Sequence, residues 1–176
     1  FLSKISTKVE WLRTFKPGDL ENLCDATQKA IEVGLGFDWI RSPRRELLER
    51  YWQGVLIVPE RDLLVGRFDG IIAGTAQMLK PPTNNESGKF NVVMTSFFVA
   101  PWARGHGLAR DMLAEFETQS RKLGYTQISL DVRETQDAAI GLYEGAGYIC
   151  WSVKDRYARV KNKYIKGFFY TKDLTL

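Results

Sequence analysis

Val99-Ala100-Pro101-Trp102-Ala103-Arg104-Gly105-His106-Gly107-Leu108-Ala109 is the stretch whose reading decides the fold. Before it, residues 90–99 are an almost unbroken run of β-branched and aromatic side chains, which predicts a central strand buried on both faces. Pro101 then turns the chain. An Arg-Gly-x-Gly segment opens a helix over 105–122, with Leu108, Met112, Leu113 and Phe116 facing inward and Gly124 as its stop. Glycines at such a junction let the backbone approach a ligand closely, and the first N–H groups of a helix have no internal partner. Free donors, the positive end of the helix dipole and the Arg104 guanidinium together favour an anion such as a diphosphate. A phosphate-binding P-loop is excluded, because no Gly-Lys-Ser/Thr follows. A dinucleotide fingerprint fits poorly. Its third small position is Arg110, and residues 100–104 separate the strand from the first glycine, where that motif has a tight turn. Glycines that merely tighten a strand-to-helix turn are the competing account of the same residues.

Working outward, residues 9–15 read as a strand. Pro17-Gly18-Asp19 offers a turn and an N-cap carboxylate for a helix carrying Leu20, Leu23, Cys24, Thr27 and Ile31 on one face, ended by Gly34 and Gly36. A second helix places Leu47, Leu48, Tyr51, Trp52 and Val55 on one face. Strands at 63–68 and 71–78 flank Asp69-Gly70, a strong two-residue hairpin signal. The polar stretch 80–89, KPPTNNESGK, is a loop. After the central helix come a buried strand at 128–132, a short helix at 137–144 closed by Gly145, and strands at 148–153 and 168–171. The order β-α-α-β-β-β-α-β-α-β-β makes an α+β mixed sheet.

With 176 residues, 44% apolar and 26% charged, the chain is expected to form one domain over 1–176, neither disordered nor collagen-like. No apolar run approaches the roughly 20 residues that a membrane helix needs. No charged-then-apolar leader pattern stands at the start, so the cytoplasm is the expected compartment. Cys24 and Cys150 are too few for a disulfide framework and read as buried small hydrophobes. The net charge of +4 is uneven. Between Ser152 and Lys166 lie Lys154, Arg156, Arg159, Lys161, Lys163 and Lys166 against Asp155 alone, and the remaining chain sums to −1. This segment reads as a solvated loop or as an attractor for an acidic acceptor or cofactor phosphates. No nucleic-acid-binding motif accompanies it.

Two motifs resemble the GCN5-related N-acetyltransferase (GNAT) superfamily. The first is the Val-x-Pro strand end leading into Arg104-Gly105-His106-Gly107-Leu108-Ala109. The second runs from Val132 to Gln136, then Ala139-Ile140-Gly141-Leu142-Tyr143-Glu144 with Gly147-Tyr148. The closing Phe169-Tyr170-Thr171-Lys172-Asp173-Leu174 looks like the family's terminal strand. The resemblance implies a mostly antiparallel central sheet flanked by helices, with a splayed parallel strand pair that binds acetyl-CoA. The loop amides of Arg104, Gly105, His106, Gly107, Leu108 and Ala109 would take the pyrophosphate, with Gln136 and Ala139 near the cofactor arm. Gln136 departs from the family's Asn; Asp137 is the alternative cap.

The resemblance further implies that a main-chain N–H near Phe98 or Val99 polarises the thioester carbonyl, and that Tyr143 protonates the leaving sulfur. Asp131, Glu134 and Glu86 are the candidate bases, with a water chain as the alternative. His106 is the chain's only histidine, but its slot directs backbone, not imidazole, at phosphate. With no cluster at ligand spacing, no catalytic metal is expected. Phe37, Trp39 and Tyr157 are the candidate acceptor-binding residues, whereas Tyr51 and Trp52 read as core. The expected activity is transfer of acetyl from acetyl-CoA to the primary amine of a small molecule. The rival readings are a protein or peptide acceptor and an acyl-CoA sensor without turnover. No nucleic acid and no membrane is expected as a partner, and a second copy of the chain is left as a further one.

Overall fold

The computed structural model describes residues 3–176. In chain order the elements are β1 (Thr7–Leu12), α1 (Asp19–Glu32), α2 (Arg45–Ile57), β2 (Arg61–Phe68), β3 (Ile71–Leu79), β4 (Asn91–Val99), a 3-10 turn (Pro101–Ala103), α3 (Leu108–Lys122), β5 (Gln127–Arg133), α4 (Asp137–Gly145), β6 (Ile149–Val160) and β7 (Lys163–Asp173). The fold is mixed α+β. Its strands follow the order β1-β2-β3-β4-β5-β7-β6, antiparallel apart from the parallel pair β4–β5. The chain forms two compact units: residues up to Leu79 with Ser96–Phe116, and Lys80–Thr95 with Glu117–Leu176.

In the first unit β1, β2 and β3 form an antiparallel ladder whose central hairpin turns at Asp69-Gly70, with φ of 49° and 82°. Two consecutive positive φ values are what a type I′ turn requires, as the Asp-Gly pair foretells. Leu23, Cys24, Ala26, Ala30 and Ile31 of α1 and Leu48, Trp52 and Val55 of α2 form the core with Leu63, Val65 and Ile72 of the strands. Trp52 is fully buried, and its indole N–H donates to Thr27 Oγ1 at 3.0 Å. Leu47, expected inward, is exposed instead, because the α2 face that packs runs through Leu48, Trp52 and Val55.

Asp19 also departs from expectation. Gly18 occupies the N-cap, and Asp19 is the first helical residue. Its carboxylate accepts the Lys16 N–H at 3.0 Å and two bonds from Arg67 at 2.7 and 2.9 Å, while Arg67 Nε donates to Glu10 at 2.6 Å. Hydrogen bonding from Arg67 is the largest influence on the Asp19 carboxyl and holds it below the usual range. A depressed carboxyl contributes stability above its unfolded value, near 3.9, and loses it as pH falls through the lower folded value. Asp19→Asn is therefore expected to cost about 2 kcal/mol at pH 7, since it removes the charge-assisted bonds of the buried Arg67 to Asp19 and leaves Glu10 as its carboxylate partner. In urea melts the gap to the wild type should narrow below pH 4. A gap that stays constant down to pH 2 would show that ionisation of Asp19 does not supply it.

In the second unit β5 pairs with β7 along its full length, from Gln127 opposite Asp173 to Arg133 opposite Gly167. The parallel ladder is short: Asn91, Val92 and Val93 stand opposite Gln127, Ile128 and Ser129. The buried positions of β4 are Val92, Met94 and Phe98, with half-exposed residues between them, so the strand is not buried on both faces as its composition suggests. The basic segment is not a loop. It is the far half of a long β6–β7 hairpin that turns at Lys161-Asn162, with φ of 49° and 62°. Both its strands run on past the end of β5, where the Glu134 N–H donates to the Lys166 carbonyl at 2.9 Å. Cys24 is buried, but Cys150 is exposed on β6. No helix among the described residues is long and apolar enough to cross a membrane.

Candidate active site

The deciding loop is built in the first unit. The Ala100 N–H donates to the Ala73 carbonyl at 2.7 Å, and the 3-10 turn closes with Ala103 N–H on Ala100 at 2.9 Å. The chain then passes through Gly105 and Gly107 with φ of 84° and 77°, backbone that L side chains rarely adopt. No atom stands within 4 Å of where a Cβ would sit at either position, and Arg104, Gly105, His106 and Gly107 are all exposed. The first bond of α3 runs from Asp111 N–H to Gly107 at 3.0 Å. The N–H groups of Leu108, Ala109 and Arg110 precede it and have no acceptor within the helix. Buried Leu108 anchors this end of α3. The loop thus presents open space, free donors and a guanidinium, a set that fits a diphosphate.

His106 serves that loop through its ring. It lies 4.9 Å from Phe68, edge to face, and Phe68 meets Trp102 in the same manner at 5.8 Å. The imidazole therefore props the loop against the end of β2.

The last residues of β4 follow a kink that sequence reasoning missed. Ser96 has φ of 51° within a strand, and its carbonyl accepts the Thr75 hydroxyl at 2.8 Å. A left-handed residue in a strand re-aims the groups that follow it, here those of Phe97, Phe98 and Val99. The only trace in the sequence is the Thr95-Ser96 pair among apolar residues. Phe98 is buried, and its ring packs on Phe37 at 5.3 Å.

In the second unit Tyr143 sits on α4, 4% exposed, with its ring against Tyr148 and Tyr170 at 5.8 and 6.3 Å. Burial pushes its hydroxyl far above the ordinary tyrosine range, and the Asp131 carboxylate adds to the shift. The O–H therefore stays protonated at every working pH. Asp131 is exposed on β5 and accepts the Tyr157 hydroxyl. Glu134 accepts the Lys166 N–H at 3.1 Å. Gln136 is the N-cap of α4 but makes no side-chain cap bond; Asp137, inside the helix, does not replace it. Ala139 is half-buried in the first turn.

Of the candidate acceptor residues, Phe37 lies in the core at 7% exposure, T-shaped to Trp52 at 6.0 Å. Trp39 is half-buried, stacked on Phe37 at 5.9 Å and edge-on to Tyr51 at 5.1 Å. Tyr51 is less enclosed than a core residue, and its hydroxyl accepts from Gln77 at 2.8 Å. Tyr157 belongs to the second unit, on the β6–β7 hairpin. Among the described residues no group of three or more His, Cys, Asp and Glu side chains could hold a metal ion.

The acetyltransferase (GNAT) family pattern matches residues 21–148. An uncharacterised N-acetyltransferase from the hisH-hisA intergenic region of Azospirillum brasilense is 54% identical over 128 residues, 73% of this chain and 76% of that protein. Among solved structures, an N-acetyltransferase from Staphylococcus aureus Mu50 superposes with a TM-score of 0.81 at 15% identity, covering 96% of this chain and 99% of that one. The yncA structure from Salmonella typhimurium, which includes its cofactor acetyl-CoA, gives 0.77 at 14% identity, covering 96% and 94%. The fold, the family pattern and these relatives converge: the chain belongs to the acetyltransferase (GNAT) family, acyltransferases that use acetyl-CoA.

Proposed function

We propose that the chain, acting as one domain over 1–176, moves acetyl directly from acetyl-CoA to the primary amine of a small molecule within a ternary complex. The observation that carries this reading is Tyr143, a phenol held in place on α4 by its buried packing against Tyr148 and Tyr170 at the motif position of the family's tyrosine. Such a group is suited to giving a proton to a departing thiolate. The loop from Arg104 to Ala109 takes the diphosphate. The pantetheine arm runs along residues 97–99 of β4, and a main-chain N–H at Phe98 or Val99 faces the thioester oxygen; Gln136 and Ala139 are further residues assigned to the cofactor.

The acceptor arrives as an ammonium and must lose a proton to become a nucleophile. Asp131 is better placed than Glu134. It is exposed, and its charge acts on Tyr143, whereas Glu134 is tied to the Lys166 backbone. Asp131 takes the ammonium proton and passes it to water. The free amine attacks the carbonyl carbon, the C–N bond forms, and the C–S bond breaks as Tyr143 protonates sulfur. The tyrosinate is then reprotonated by the nascent amide nitrogen. The half-buried Trp39 and Tyr51, packed edge-on, offer aromatic surface to a compact acceptor, with buried Phe37 behind Trp39.

A panel of amino acids, polyamines, aminoglycosides and peptides, read by release of free CoA thiol, tests this assignment. Turnover is expected with at least one small amine and with no peptide. Turnover confined to peptides would overturn the small-molecule acceptor. Silence across the panel with acetyl-CoA still bound would mark an acyl-CoA-binding protein without catalysis.

A further inference from the structure

We infer that Tyr157 is a positioning residue that holds the Asp131 carboxylate in place, and that Gly167 exists to admit its ring. The inference rests on the reading of Asp131 as the group that takes the ammonium proton.

Three separate features of the second unit converge on this contact. The first is an irregularity in the hairpin. Between Lys154, opposite Gly167, and Ala158, opposite Ile165, β6 holds more residues than β7. Such an excess bends the strand and turns a side chain out of the regular alternation. Tyr157 lies within it.

The second feature is the path of the ring. A Cβ added to Gly167 would clash with the Cγ and Cδ carbons of the Tyr157 ring, so the phenol crosses β7 directly over that glycine. It then meets Phe169 edge-on at 6.0 Å. Phe169 is the register partner of Asp131, so the ring has crossed one whole strand to reach β5. Glycine inside a strand often marks such a close approach.

The third feature is the end of that path, where the Tyr157 hydroxyl donates to Asp131 Oδ2. Asp131 would otherwise be a short carboxylate on an exposed strand position. Among the described residues Asp131 has no ion pair; Tyr157 supplies its hydrogen bond from β6, and Tyr143 of α4 feels its charge. A neutral donor fixes the carboxylate without neutralising it. The second oxygen is left for an ammonium. A cation in the same place would compete with the acceptor for that negative charge.

Tyr157→Phe keeps the ring and removes only the donor. Steady-state kinetics with a turned-over amine should show kcat lower by about tenfold, as expected for one lost hydrogen bond to a charged group. KM for acetyl-CoA should stay within twofold. Asp131→Asn should lower kcat more, and adding Tyr157→Phe to it should change nothing further, because the phenol acts only through the carboxylate. Gly167→Ala should displace the ring and reproduce the Tyr157→Phe loss with the tyrosine still present. If that variant fails to fold, the Tyr157→Phe and Asp131→Asn cycle decides alone. An unchanged kcat in Tyr157→Phe, or additive losses in the double variant, would overturn the positioning role. Full activity in Asp131→Asn would instead remove Asp131 from the chemistry, a separate failure.

Discussion

Tyr143→Phe is expected to lower kcat by at least about a hundredfold while acetyl-CoA affinity stays within twofold. A positioned acid contributes 10²–10⁴ in rate. The variant keeps the ring that packs on Tyr148 and Tyr170, so the fold has no reason to yield. Burial has already raised the hydroxyl far above its ordinary value, which keeps Tyr143 from ionising on the alkaline side of any working range. The wild-type profile should therefore show no alkaline loss attributable to this phenol below pH 10. Calorimetry for binding and thiol release for turnover separate the two quantities. Equal kcat in both proteins would assign the proton to another donor.

The second large effect is expected at the loop. Arg104→Ala combined with Gly107→Asp should weaken acetyl-CoA binding at least about a hundredfold in calorimetry. Loss of a charge-assisted contact accounts for 1.5–3 kcal/mol, or roughly ten- to a hundredfold, and a carboxylate beside the diphosphate adds like-charge repulsion. Gly107 has φ of 77°, so any side chain there also brings backbone strain of about 1–2 kcal/mol. Both positions are exposed, so that strain alone should set the fall in melting temperature, about 2–8 °C. Arg104→Ala alone, at about tenfold, gives the intermediate case. Unchanged affinity in the double variant would move the diphosphate elsewhere.

Much of the architecture was legible because its signals are local. The Asp69-Gly70 turn, the 3.6-residue spacing in α1 and the strand–glycine–helix junction each depend on a few neighbouring residues. They appear where the sequence places them, except that α3 starts at Leu108 and not at Gly105, whose left-handed backbone lies outside the helix. What escaped depends on partners distant in the chain. Asp19 reads as a cap until Arg67, 48 residues away, claims its carboxylate. The basic segment reads as a loop because lysines and arginines have little strand propensity, yet pairing with β7 carries β6 through to Val160. The φ of Ser96 leaves almost no compositional mark, since serine also sits in ordinary strands. Tyr157 was legible as a site candidate only through family resemblance. Its contact with Asp131 depends on an irregular register that composition does not encode.

Cys150 carries a practical consequence. Its thiol is exposed on β6, with only a weak 3.5 Å contact to the Ser152 carbonyl, while Cys24 is enclosed and burial raises its pKa. A disulfide dye that counts liberated CoA will thus also count Cys150, as a prompt offset of one equivalent per chain. The same asymmetry makes Cys150 a single handle for a maleimide fluorophore. Its place next to Trp151 would let indole quenching report on movement of the hairpin that carries Tyr157.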